Sequence, residues 1–133
     1  MKQMKLLQTA LVLSLGATTG VVALAADSQP PTAAPPRGRE VHCTIRQGGE
    51  TLLDAGCEFR SEGGKGSFSL AARGGKGELF DGMLIVSVSV VSPGVAEVRG
   101  LTAAGLNSRW GEARRSPKDR ACWKGSDFEV CAR

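Results

Sequence analysis

From Glu40 to the C-terminus, apolar residues recur at every second position and never in a sustained spacing of three to four. That parity belongs to β-strands, whose successive side chains leave opposite faces, and it excludes a helical bundle. Val41, Cys43 and Ile45 alternate with His42, Thr44 and Arg46 before Gly48-Gly49 interrupts the run. Cys57 and Phe59 alternate with Glu58 and Arg60, and Phe68, Leu70 and Ala72 with Ser67, Ser69 and Ala71. The clearest strand is Met83 to Ser92. Leu84, Val86, Val88 and Val90 share one face, and Ile85, Ser87, Ser89 and Val91 share the other, before Pro93-Gly94 turns the chain. Val95 to Leu101, Asn107 to Arg115, Ala121 to Lys124 and Phe128 to Ala132 continue the pattern, and Thr102 to Leu106 has room for one helical turn. Short strands separated by glycine turns predict an all-β domain, a small antiparallel β-sandwich or barrel. The Met83 strand takes a central place in it, with its second face partly covered.

Residues 1–25 carry the pattern of an export signal. Lys2 and Lys5 precede a mostly apolar run from Leu6 to Leu15, and Ala23-Leu24-Ala25 supplies small residues for cleavage. Gly16, Thr18, Thr19 and Gly20 leave the run short of the roughly 20 apolar residues that a membrane span needs. Residues 26–39 hold Pro30, Pro31, Pro35 and Pro36 and no large apolar side chain, the composition of an extended linker. The folded domain is expected over 40–133. Cleavage removes two lysines and no acid, leaving fifteen Lys and Arg against thirteen carboxylates. This modest balance argues against nucleic acid as a partner. The expected location is periplasmic or secreted, with no transmembrane segment after cleavage.

An exported domain of this size has a thin core and commonly gains stability from disulfides. If Ser126-Asp127 is a two-residue hairpin loop, Cys122 lies opposite Cys131, Trp123 opposite Val130 and Lys124 opposite Glu129. A Gly125-Ser126 loop is the competing register and would separate the two sulfurs. The preferred register leaves Cys43 to pair with Cys57 around Gly48-Gly49. Each bridge is worth about 2–4 kcal/mol. Neither pair has the close ligand spacing of a zinc knuckle, and no cysteine is left over as a nucleophile. The expectation is therefore no metal and no cofactor.

Gly63-Gly64-Lys65-Gly66 and Gly74-Gly75-Lys76-Gly77 repeat eleven residues apart. A phosphate-binding loop would need Ser or Thr after the Lys and then a helix, whereas Gly follows each Lys here. Both read as hairpin turns, and in a meander they fall at opposite ends of the sheet. His42 is the single histidine, and no G-x-S-x-G elbow accompanies it, so it reads as an exposed structural residue. Asp54, Glu58, Asp81, Glu97, Glu112 and Asp127 single out no catalytic pair. No catalytic residue is assigned, and the chain is not expected to be an enzyme.

The stretch Arg109 to Lys124 holds six cations against Glu112 and Asp119, together with both tryptophans of the chain. Guanidinium groups make bidentate contacts with carboxylates and phosphates, and indoles offer flat apolar platforms. Arg109, Trp110, Arg114, Arg115, Lys118 and Trp123 are the candidate binding residues. The competing reading is a solvated basic hairpin with its tryptophans in the core. Along Asn107–Arg115, strict alternation would carry Glu112 and Arg114 inward together with a buried Trp110, where they would need partners.

In organisation (signal, short spacer, small two-disulfide β domain) the chain is similar to bacterial periplasmic inhibitors of lysozyme. That resemblance implies a non-enzymatic binding module acting on a protein partner, an inhibitor among the possibilities. The basic stretch supports an alternative, a module for anionic envelope polymers. A monomer is expected in either case.

Overall fold

The computed structural model describes residues 38–133. Eight strands follow one another: β1 (Arg39–Gln47), β2 (Glu50–Glu62), β3 (Ser67–Ala71), β4 (Met83–Ser92), β5 (Val95–Thr102), β6 (Asn107–Arg115), β7 (Cys122–Lys124) and β8 (Phe128–Ala132). Each pairs antiparallel with the next, and β1 pairs with β8 to close an eight-stranded barrel. Closure removes the exposed edges that an open sheet presents. Of the two architectures open to the sequence, the barrel is the one formed.

Eight strands enclose a lumen just wide enough for side chains to fill. Val41 and Ile45 of β1, Leu70 of β3, Val86 and Val88 of β4, Val98 of β5 and Val130 of β8 are buried there. Phe68, Ala96, Ala113, Trp123 and Phe128 belong to the same core. Leu79, in the loop between β3 and β4, joins this core, and its N–H bonds the Met83 carbonyl at 2.7 Å. Gly100 is the small residue that such packing requires, since a Cβ there would come within 2.7 Å of Met83 Sδ.

Both expected disulfides are present. Cys43 lies across from Ala55 and Cys57 from Val41, so the two cysteines are diagonal neighbours on the inward face, with Cα atoms 5.8 Å apart. Cys122 and Cys131 face each other directly, in the register that also pairs Trp123 with Val130 and Lys124 with Glu129. The Gly125 N–H donates to the Phe128 carbonyl at 2.8 Å, which fixes this register against the competing loop. Trp123 and Val130 point inward, so the Cys122–Cys131 bridge stands on the outer wall.

Four expectations change. Arg39, assigned to the linker, begins β1 opposite Phe59 and lays its guanidinium 4.8 Å from that ring. Thr102 to Leu106 forms a turn, with the Leu106 N–H bonded to Thr102 Oγ1, and no helix. The second glycine motif lies in the long β3–β4 connection, where Arg73–Gly75 makes one 3-10 turn; β3 ends at Ala71 and the chain must travel on to seat Leu79. In a closed ring no strand is central, and β4 keeps Val91 exposed at its end.

Candidate functional site at the lower rim

An even-stranded meander sorts its connections by parity. The β2–β3, β4–β5 and β6–β7 loops lie at the end where β1 begins, here called the lower rim. The other four connections form the upper rim, where the Gly48 N–H reaches the Asp127 carbonyl at 2.8 Å. Lys65 and Lys76, from the two glycine motifs, therefore sit at opposite ends, as a meander requires. The lower-rim loops carry Lys65, Lys118 and Arg120 against Asp119, and the strand ends beside them add Arg115 and the exposed Glu62. The other connections carry Arg73 and Lys76 against Glu78, Asp81 and Asp127, and Arg73 reaches back along the wall to Glu40 near the start of β1.

The six candidate binding residues do not form one surface. Arg109 and Arg114 are on the outer wall and each already holds a carboxylate. Register sets Glu97 opposite Glu112 and Arg99 opposite Arg109, like charges facing like. Neutralisation comes instead from other neighbours: Arg109 Nε lies 2.5 Å from Glu97, Arg99 3.3 Å from Glu97, and Arg114 3.2 Å from Glu112. Such exposed pairs add little stability, but they offset the positive field that the sequence count implies.

Trp110 is half-buried against the core and meets the Phe128 ring edge-on, with centroids 5.7 Å apart. The dilemma of strict alternation is resolved by a bulge. The β5–β6 register shifts between Val98 and Arg99, and Gly111 adopts a φ of +121°, open to glycine and costly for other residues. One extra residue reverses the parity, so Trp110 turns inward while Glu112 and Arg114 stay in solvent. Trp123 is buried in the core. The two tryptophans thus serve as core residues rather than as exposed platforms.

Arg115 and Lys118 belong to the lower rim. Arg115, opposite Trp123, lays its guanidinium 4.8 Å from the indole centroid, and its Nε is buried without a hydrogen-bond partner. The loop that follows is held by its own backbone. Ser116 N–H bonds the Cys122 carbonyl, Cys122 N–H bonds the Asp119 carbonyl, and Asp119 Oδ1 accepts the Ala121 N–H. Asp119 also binds the Arg133 guanidinium at 2.5 Å, and that hydrogen bond holds its carboxyl below its ordinary value of 3.8, with help from the Ala121 N–H. Lys118 and Arg120 flank Asp119, are exposed, and enter no ion pair among the described residues.

The rim is continuous across its loops. Arg115 N–H donates to the Gly94 carbonyl at 3.0 Å, which ties the β6 end to the β4–β5 turn. That turn shares a cleft of about 310 Å³ with Lys65, lined by Val90, Val91, Ser92 and Pro93. Val91 is 67% exposed. Lys65, Val91, Pro93 and Arg120 had no place among the sequence candidates. Strand counting is the signal that finds them, because it alone brings three loops to one end.

A second polar cluster lies on the outer wall of β1 and β2. His42 Nε2 and Asp54 Oδ1 are 2.6 Å apart and both side chains are exposed, while Arg73 crosses over Gly56 to pair with Glu40. No Ser, Thr or Cys side chain bonds His42 among the described residues, so a nucleophilic triad is not assembled there. Cys122, Glu129 and Cys131 bring three donor atoms within 4.8 Å. Both sulfurs are committed to the disulfide and Glu129 faces Lys124 at 3.6 Å, a poor donor set for a metal.

No family model matches the chain, and no curated protein and no solved structure matches it.

Proposed function

We propose that the chain is a non-enzymatic binding module of the periplasm or cell exterior, and that its lower rim binds anionic groups of the cell envelope. The carrying observation is the contrast among its cations. Arg99, Arg109 and Arg114 are drawn to two carboxylates, Glu97 and Glu112, whereas Lys65, Arg115, Lys118 and Arg120 gather at one end with no ion pair among the described residues; Arg46 and Lys76 are also unpaired, but away from that rim and not clustered. A lumen filled with apolar side chains supports action from the surface rather than by enclosing a small molecule. Two disulfides are consistent with an oxidising compartment.

The test is retention on an immobilised polyanion across a salt series. Lys118→Glu with Arg120→Glu is expected to weaken binding at least about tenfold, since each cation near an anionic surface contributes about 1 kcal/mol. Arg109→Ala with Arg114→Ala is expected to leave it nearly unchanged. The reverse ranking overturns the assignment.

The protein-partner reading is favoured by the outer wall of β5 and β6, where both signs of charge interleave in a pattern suited to another protein surface. Lysozyme-type inhibition rests on likeness of organisation. A discrete protein retained at high salt would select this reading.

A further inference from the structure

We propose that the lower rim docks on an anionic lipid surface, with Val91 and Pro93 entering the interface while Lys65, Arg115, Lys118 and Arg120 meet lipid phosphates. The proposal rests on the anion-binding reading of the rim and names its ligand class. Charge alone would suit any polyanion. The apolar tip narrows the choice. Val91 is one of two large hydrophobic side chains strongly exposed among the described residues, and it is the extra residue where the β4–β5 register shifts between Val90 and Ser92. A soluble polyanion gives an exposed valine nothing to bury in, whereas a bilayer interface rewards an apolar projection ringed by cations.

Arrangement and connectivity agree. The turn carrying Val91 and Pro93 has Lys65 on one side, across the shared cleft, and Arg115 on the other, through the Gly94 bond. Lys118 and Arg120 follow Arg115 in the β6–β7 loop, at the same end of the barrel. Cations thus flank the apolar tip on two sides, the arrangement in which headgroup phosphates and acyl chains would be met together. The chain also enters the barrel at this end, since β1 begins at Arg39. The upper rim provides an internal control: Leu106 is 66% exposed there, among loops whose charge balance is acidic.

The experiment is co-sedimentation of the purified protein with vesicles of phosphatidylcholine alone or of equal parts phosphatidylcholine and phosphatidylglycerol, alongside binding to soluble inorganic polyphosphate. The expected result is binding to the anionic vesicles and none to phosphatidylcholine. Val91→Ser should weaken vesicle binding about five- to tenfold, from the lost burial of one aliphatic side chain, and leave polyphosphate binding unchanged. Leu106→Ser should match the parent protein in both. Both substituted positions are exposed, so the fold is retained, and thermal melts verify it. Polyphosphate binding without vesicle binding overturns the lipid proposal and keeps the anion-binding rim. Vesicle binding indifferent to Val91→Ser also overturns the docking geometry. Binding to neither ligand overturns both readings.

Discussion

The first and last hairpins of the barrel are each closed by a disulfide, yet the two bridges do different work. Cys43–Cys57 lies inside the ring, shared between β1 and β2 and wholly buried among Val41, Ile45 and Leu70. Cys122–Cys131 is on the outward face of the ring, joining β7 to β8 at directly opposed positions; it too is buried, and the Arg133 guanidinium reaches Cys122 Sγ at 3.4 Å. Strand parity alone decides this: Cys43 follows the inward series of β1, while Cys131 alternates with inward Val130. The inner bridge therefore doubles as packing. The outer bridge is a clamp on the shortest strand of the ring, the three residues of β7.

Loop entropy hardly separates the two. Sequence separations of 14 and 9 residues correspond to about 3 and about 2.6 kcal/mol in the chain-entropy estimate. Any larger gap must come from packing. Replacing Cys43 and Cys57 together by Ala should cost about 4 kcal/mol, because it also leaves a void in the lumen. Urea denaturation reads this directly. The same double replacement at Cys122 and Cys131 should cost about 2.5 kcal/mol, with the opening confined to β7 and β8 in hydrogen exchange. Equal costs, or global unfolding from the outer pair, would break the distinction between packing and clamp.

The smallest effect is a pH dependence of the outer hairpin alone. The Arg133 hydrogen bond lowers the Asp119 carboxyl below its ordinary value of 3.8. A lowered folded-state pKa means that the contribution is complete above the unfolded value and is lost as pH falls through the folded one. Amide exchange at Cys122 and Ala132 should therefore accelerate in acid, below the ordinary carboxylate range, while β1 and β2 amides show no such step. Asp119→Asn should abolish the step. A step that persists in that variant would remove Asp119 from the account.

The same contrast shows what was legible in the sequence. The β7–β8 register could be read from a single assumption about a two-residue loop, since a hairpin is local and its cross-strand pairs all follow from the turn. The bounds of β4 were legible for a similar reason, uninterrupted alternation ending at the Pro93-Gly94 turn. The position of Trp110 was not. A single bulge beside Gly111 reverses the parity, and the isolated glycine inside the strand is the one residue type that marks it. The Arg109–Glu97 pair was hidden likewise, because twelve residues separate its partners and only the β5–β6 register brings them together. Leu79 lies in a long connection without periodicity, so its place in the core left no trace in the pattern. Of the proposed rim, the cations of one loop were visible as a basic stretch. Lys65 and the Val91 tip join it only through the ring.

Ring closure through β1 and β8 also sets the order of folding events. β1 is the first strand to be made and β8 the last, and the register joins Thr44 to Cys131 across most of the domain. Each local hairpin can form as soon as its own two strands exist, but the seam that completes the barrel must wait for the C-terminal residues. Until β8 is available the strands already paired leave two edges open. The final few residues act as the latch. Deleting Val130 to Arg133 would remove the closing partner of β1, and should convert a molecule without edges into one prone to join its neighbours edge to edge.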